Sequence, residues 1–128
     1  MSISNPVKKI FTVVIAMRAG DEYEMFAQLL GEIGLPLKIE HVTSGYRALM
    51  ALEEENPDLL IMDIQLSDIH GWELIGKLRE ISNLRDLPVM VVADHVFIAP
   101  AVGPVVHLTR PISRARLRQS VMEILNTS

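Results

Sequence analysis

Apolar positions in this chain of 128 residues switch repeatedly between short continuous runs and a helical repeat. Ile10–Ala16 is apolar at nearly every position and reads as a strand buried on both faces. Phe26, Leu29, Leu30 and Ile33 then recur at i, i+3, i+4 and i+7, one face of a helix starting near Asp21. Asp21, Glu22 and Glu24 suit the positive end of that helix's dipole, and Gly34 with Pro36 stops it. Leu37–Val42 alternates as a second, more exposed strand. Thr43-Ser44-Gly45 opens a helix carrying Ala48, Leu49 and Leu52, which Pro57 ends.

The pattern continues with a third strand at Leu59–Asp63 and a helix from Gly71 carrying Leu74, Ile75 and Leu78. Pro88 precedes a fourth strand, Val89–Ala93, and Val105–Leu108 is a fifth. Ser113 is a plausible N-cap for a last helix whose stripe is Leu117, Val121, Ile124 and Leu125. Strands alternating with helices predict parallel strands, right-handed crossovers and helices on both faces. One crossover breaks the rule. The eleven residues DHVFIAPAVGP between Ala93 and Val105 hold two prolines and a glycine, so the fourth helix is expected to be short or missing. No repeat, linker or low-complexity tract divides the chain, which reads as one domain over residues 1–128, with no effector domain after the last helix.

Composition narrows this picture. With 49% hydrophobic and 22% charged residues the chain is globular, and without cysteine it has no disulfide or thiolate chemistry. A net charge of −4 argues against a nucleic-acid partner. The charge is uneven: residues 1–94 hold 15 acids and 8 bases, while residues 95–128 set Glu123 against Arg110, Arg114, Arg116 and Arg118. No stretch approaches the ~20 apolar residues that span a bilayer, and Lys8-Lys9 with its eight-residue apolar run lacks a cleavage site. The expectation is a cytoplasmic protein with no membrane contact.

The most informative segment is Pro57–Arg79, PDLLIMDIQLSDIHGWELIGKLR. An apolar strand ends in Asp63, at the strand end where open α/β sheets place their ligands, and Gly71 opens the next helix. This stretch resembles the receiver domain of two-component response regulators, and the resemblance runs roughly from Lys9 to Leu125. It implies a flavodoxin-like doubly wound sheet of order 2-1-3-4-5, a role in phosphorelay signal transduction rather than as an enzyme, and Asp63 as the phospho-acceptor position.

The resemblance also marks what is missing. Receivers place two acids at the end of the first strand to hold Mg²⁺. Counting back from Gly34 puts Met17 and Arg18 there, and aligning by the strand puts Ala16 and Met17 there. Asp21 and Glu22 follow in the helix and are expected to reach a metal only after rearrangement of the loop. The Thr or Ser that contacts the phosphoryl group corresponds to Ala93, the switch aromatic to His107, the lysine before proline to Arg110, and the loop proline to Ser67, while Gln65 would supply the metal-binding carbonyl. Arginine keeps the charge of lysine but not its compact geometry. One carboxylate facing Arg110 and Arg18 gives no reason to bind Mg²⁺ tightly. The predicted protein is thus a degenerate receiver, not phosphorylated, without metal or other cofactor, with Asp63 ion-paired to Arg110 or Arg18.

Two alternatives stand beside it. One is a phospho-accepting regulator that uses Asp63, with Mg²⁺ held by a rearranged Asp21 or Glu22. The other is a small-molecule binder in the same crevice, weakened because Met17-Arg18-Ala19-Gly20 has a single glycine. His41, His70, His95 and His107 show no metal-ligand spacing, and Gly71 reads as a turn requirement. Partner contact is expected at Phe97, His107, Arg114 and Arg118, with a histidine kinase or an effector as the partner and the chain itself monomeric or weakly dimeric. Val96, Phe97 and Ile98 either fill the gap left by the broken crossover or form an apolar patch rimmed by arginines.

Overall fold

The computed structural model describes residues 9–96 and 103–126. Its elements run β1 (Phe11–Ala16), α1 (Asp21–Gly31), β2 (Leu37–Val42), α2 (Gly45–Glu55), β3 (Leu59–Asp63), α3 (Gly71–Arg79), a 3₁₀ turn (Ser82–Leu84), β4 (Val89–Ala93), β5 (Val105–Thr109) and α4 (Arg114–Asn126). The five strands form one sheet in the order β2-β1-β3-β4-β5, and every pairing is parallel. This is the flavodoxin-like order expected from the sequence.

The apolar runs become central strands because both faces of the sheet are covered. Successive side chains point to opposite faces, so Leu60 and Met62 join α2 and α3 in one layer, while Leu59 and Ile61 join α1 and α4 in the other. All four are fully buried, and each such side chain contributes roughly 1.5–3 kcal/mol on burial. Edge strand β2 is intermediate or exposed throughout, as its alternating sequence predicts. No helix among the described residues is long and apolar enough to cross a membrane.

Helix starts follow the sequence signals. The Ser44 hydroxyl accepts from the Arg47 N–H (3.2 Å), and the Ser113 hydroxyl accepts from the Arg116 N–H (3.2 Å). Gly71 has a different reason from the one expected. It is not a turn glycine; a Cβ there would lie 2.7 Å from Met62 Cε and 2.9 Å from Ile64 Cδ1, so the glycine lets α3 pack against the β3 end.

The β4–β5 crossover carries no helix over its described residues, 94–96 and 103–104. Its far end is fixed by Arg79, the one buried charged residue among those described. The Arg79 guanidinium donates from Nη1 to the carbonyls of Leu84 (3.1 Å) and Leu87 (2.7 Å), and from Nη2 to that of Pro104 (3.1 Å). Gly103, at φ +74°, lies against it, and a Cβ there would come within 2.6 Å of Nε. Burial pulls the Arg79 pKa below its ordinary value.

Candidate functional site

Three parallel strand ends, β1, β3 and β4, open with the first turn of α1 onto a crevice of about 360 Å³. Its lining includes Met17, Arg18, Glu22, Asp63, Gln65 and Arg110. Crevices beyond the carboxyl ends of the strands are where open α/β sheets bind ligands.

Asp63 is the last residue of β3, and its side chain is 16% exposed. Both of its oxygens are engaged. Oδ1 accepts the Gln65 backbone N–H at 2.8 Å, and Oδ2 accepts Arg110 Nη2 at 2.7 Å. Arg110 follows β5 directly and is anchored by its own N–H, which donates to the Ala93 carbonyl at 2.8 Å.

The same guanidinium meets two more carboxylates. Arg110 Nε and Nη2 donate to Glu22 Oε2 and Oε1 at 2.9 and 2.8 Å, a two-pronged pair, and Nη1 reaches Asp94 Oδ1 at 3.2 Å. Glu22 foremost, and Asp63 after it, raise the Arg110 pKa above its already high ordinary value, so the cation is permanent. Arg110 therefore ties together α1, the β3 end and the β4 end.

This arrangement corrects one expectation. Glu22 enters the crevice from the first turn of α1, without any rearrangement of the loop before it. Gly20 makes the entry: its φ of +154° is a region that residues with a Cβ rarely adopt, and α1 starts at the next residue. Of the two arginines named as partners of Asp63, Arg110 forms the pair, while Arg18 lines the crevice from the β1 side. Met17 is buried, and its carbonyl accepts from His41 Nε2 at 2.9 Å; a carbonyl only accepts, which fixes the donor nitrogen of the ring. Ala93 closes β4 with no hydroxyl to offer, and Asp94 follows it into the crevice.

The residues expected at a partner surface lie elsewhere. His107 is half-buried on β5, with its ring 5.6 Å from that of Trp72. Arg114 and Arg118 are exposed on α4. Val96 is 74% exposed, while Phe97 and Ile98 lie outside the described residues.

Sequence reasoning missed Asp68. Its carboxylate accepts the N–H groups of Gly45 (2.8 Å) and Tyr46 (3.1 Å) at the start of α2, and the Gly45 bond foremost lowers its pKa. This pins the β3–α3 loop, and with it the Asp63 surroundings, to a second helix. Gly45 itself has no room for a Cβ, because Ile69 of the same loop occupies that space. Asp68 stands five residues after Asp63, in a loop whose fold the sequence alone does not give.

A sheet of this order with an aspartate at the β3 end and a basic residue after β5 defines the class of protein. The chain belongs to the response regulator receiver domain family, whose model matches residues 21–122. It is 33% identical over 88 residues to the polar-differentiation response regulator DivK of Brucella ovis, covering 64% of this chain and 71% of that protein. Among solved structures it matches the chemotaxis response regulator CheY4 of Vibrio cholerae with a TM-score of 0.78, 19% identity and coverage of 91% and 99%. It also matches the receiver domain of the sensor histidine kinase PA1611 of Pseudomonas aeruginosa, which holds a magnesium ion in its active-site cleft. That match has a TM-score of 0.80, 17% identity and coverage of 92% and 99%.

Proposed function

We propose that this receiver domain acts as a protein-interaction module in two-component signalling without accepting a phosphoryl group at Asp63. The observation that carries this reading is the Arg110 guanidinium, seated on Asp63 Oδ2 and held there by both oxygens of Glu22. Phosphoryl transfer to a carboxylate needs a free oxygen aligned with phosphorus, and cations on the equatorial oxygens. Here one oxygen faces a backbone N–H and the other faces the guanidinium.

The donor set does not suit Mg²⁺. A divalent cation needs several carboxylate or carbonyl oxygens around it. Met17 brings no carboxylate to the β1 end, and of the four acids that line the crevice, Asp21, Glu22, Asp63 and Asp94, three are paired with Arg110. A metal would have to displace a covalently tethered cation from the oxygens it needs. Arg110 thus supplies the charge neutralisation that a bound ion would otherwise supply.

Output in this reading is constitutive. Ala93 has no hydroxyl to follow a phosphoryl group, and His107 stands where an aromatic would move with it. A ligand shifts an equilibrium only through differential contacts with its two states. The proposed contact surface is His107, Arg114 and Arg118, with Phe97, which lies outside the described residues, the further contact expected from the sequence, and a histidine kinase or an effector is the partner class.

Intact-protein mass spectrometry after incubation with acetyl phosphate and Mg²⁺ is the test. The expected result is an unmodified chain. A stable adduct of about 80 Da that Asp63→Asn abolishes would make the protein a phospho-accepting regulator instead.

A further inference from the structure

Four large apolar side chains are exposed among the described residues: Ile10, Tyr46, Met50 and Val96. Two of them, Tyr46 at 54% and Met50 at 61%, stand one helical turn apart on α2. Neither belongs to the crevice or to the proposed partner surface. The charged residues around them are placed with a symmetry that an isolated solvated helix does not need. Counting from Met50, Tyr46 and Arg47 lie four and three residues before it, and Glu53 and Glu54 lie three and four residues after it.

Helix geometry turns that spacing into sides. At 3.6 residues per turn, Arg47 and Glu54 fall on one flank of Met50, and Tyr46 and Glu53 fall on the other. The buried face, Gly45, Ala48, Ala51 and Leu52, lies opposite. The first flank adjoins β2: Arg47, Met50 and Glu54 line a groove of about 550 Å³ together with His41 and Thr43.

We propose that α2 is a self-association surface whose occupant is α2 of a second copy of this chain, packed antiparallel about a two-fold axis through Met50. A two-fold axis across antiparallel helices keeps each flank on its own side and exchanges the two helix ends. Arg47 of each copy then faces the other copy's Glu54, giving two symmetric ion pairs. Tyr46 of each faces the other's Glu53, where a phenol donates to a carboxylate. The two Met50 side chains meet on the axis, and methionine packs well in such adaptable contacts. The opposite arrangement, with parallel helices, crosses the flanks and loses this match. One pair of three-turn helices buries less than the ~1,200 Å² of a stable interface, so the dimer is weak, with a dissociation constant on the order of 0.1–1 mM.

The test is sedimentation velocity on the full chain from about 20 µM to about 1 mM. The expected result is reversible dimerisation that Met50→Asp weakens at least about tenfold, a loss of about 1.4 kcal/mol. Arg47→Glu and Glu54→Arg should each weaken it, and the double variant, which exchanges the charges within each pair, should restore it. Because the chain has no cysteine, Met50→Cys places a single thiol at the axis and should cross-link on oxidation, whereas Gln119→Cys on α4 should not. Circular dichroism of each variant checks that the fold persists. A monomer at 1 mM, dimerisation unchanged by Met50→Asp, or cross-linking at Gln119→Cys in place of Met50→Cys would overturn the proposal. None of these outcomes depends on whether Asp63 is phosphorylated.

Discussion

Two arginines hold this domain together from opposite ends of the sheet, and their partners differ in kind. Arg110, beyond the strand C-termini, meets the carboxylates of Glu22, Asp63 and Asp94. Arg79, near the strand N-termini, meets backbone carbonyls of Leu84, Leu87 and Pro104. The first is a half-exposed charge cluster in which the cation is reinforced. The second is a buried cation whose charge form is disfavoured by its surroundings. In the proposed reading Arg110 fills the electrostatic place of a ligand, while Arg79 ties the segment between α3 and β4 to the end of the β4–β5 crossover through their backbone carbonyls.

The largest expected effect is on the Arg79 side. Arg79→Leu keeps apolar bulk but removes charge-assisted bonds to three carbonyls; those of Leu84 and Pro104 keep backbone N–H groups, while that of Leu87 loses its donor, and a buried polar group without a partner costs about 1–3 kcal/mol. A loss of roughly 2–5 kcal/mol in urea unfolding is expected, a large part of a typical domain's stability. Arg79→Lys should recover only part of it, since an ammonium cannot span the same fork. Gly103→Ala should cost about 1–3 kcal/mol by pressing a Cβ on the guanidinium at a positive φ. Wild-type stability in Arg79→Leu would remove the distinction between the two arginines.

The Arg110 side should respond less in stability and more to salt. Arg110→Ala removes the cation that Glu22, Asp63 and Asp94 share. Exposed pairs are worth about 0–1 kcal/mol and breaking a buried pair costs about 3–5, so this part-buried cluster should lose roughly 1–3 kcal/mol. Raising salt from 0.1 to 1 M shortens the screening length from about 10 to about 3 Å. The stability difference between wild type and Arg110→Ala should therefore shrink in salt, and by more than that for Arg79→Leu, where the wild-type guanidinium donates to backbone carbonyls. Equal salt responses would show that Arg110 acts through packing and not through charge.

The fold was legible because β2 alternates, the other strands are apolar runs, and most helices carry a cap or a stop, as at Ser44 and Ser113. The Asp63–Arg110 pair was legible too, since both residues sit at strand ends that a parallel sheet brings to one edge. Glu22 was not, because its reach depends on the backbone turn at Gly20 and on a partner 88 residues away. Arg79 was not singled out, and like Lys77 it stands in the last turn of α3. Its spacing held the missed signal: it follows Ile75 by four positions and so continues the inward face of α3. Gly71 was read as a turn because sequence shows a glycine's freedom and not the methionine and isoleucine packed against it.

Asp68 gives the smallest effect and sharpens the comparison with an anchor of opposite sign. Like Arg79 it bonds backbone groups, and like Arg110 it does so where solvent reaches it. Its folded pKa is lowered, first by the Gly45 N–H and then by that of Tyr46. A lowered carboxylate pKa means that the unfolded chain binds the proton more readily than the folded one. The stabilisation is then fully present above the ordinary carboxylate value of about 3.9 and is lost as pH falls through the lower folded value. Asp68→Asn should therefore be less stable than wild type at pH 7, and the two thermal midpoints should converge as the pH is taken well below 4. The asparagine keeps an acceptor oxygen for one N–H, so what disappears with acid is the charge contribution at the α2 N-terminus. A difference between the midpoints that persists unchanged in acid would mean that Asp68 acts through loop shape, and that α2 is held by Ile69 packing against Gly45 rather than by the carboxylate.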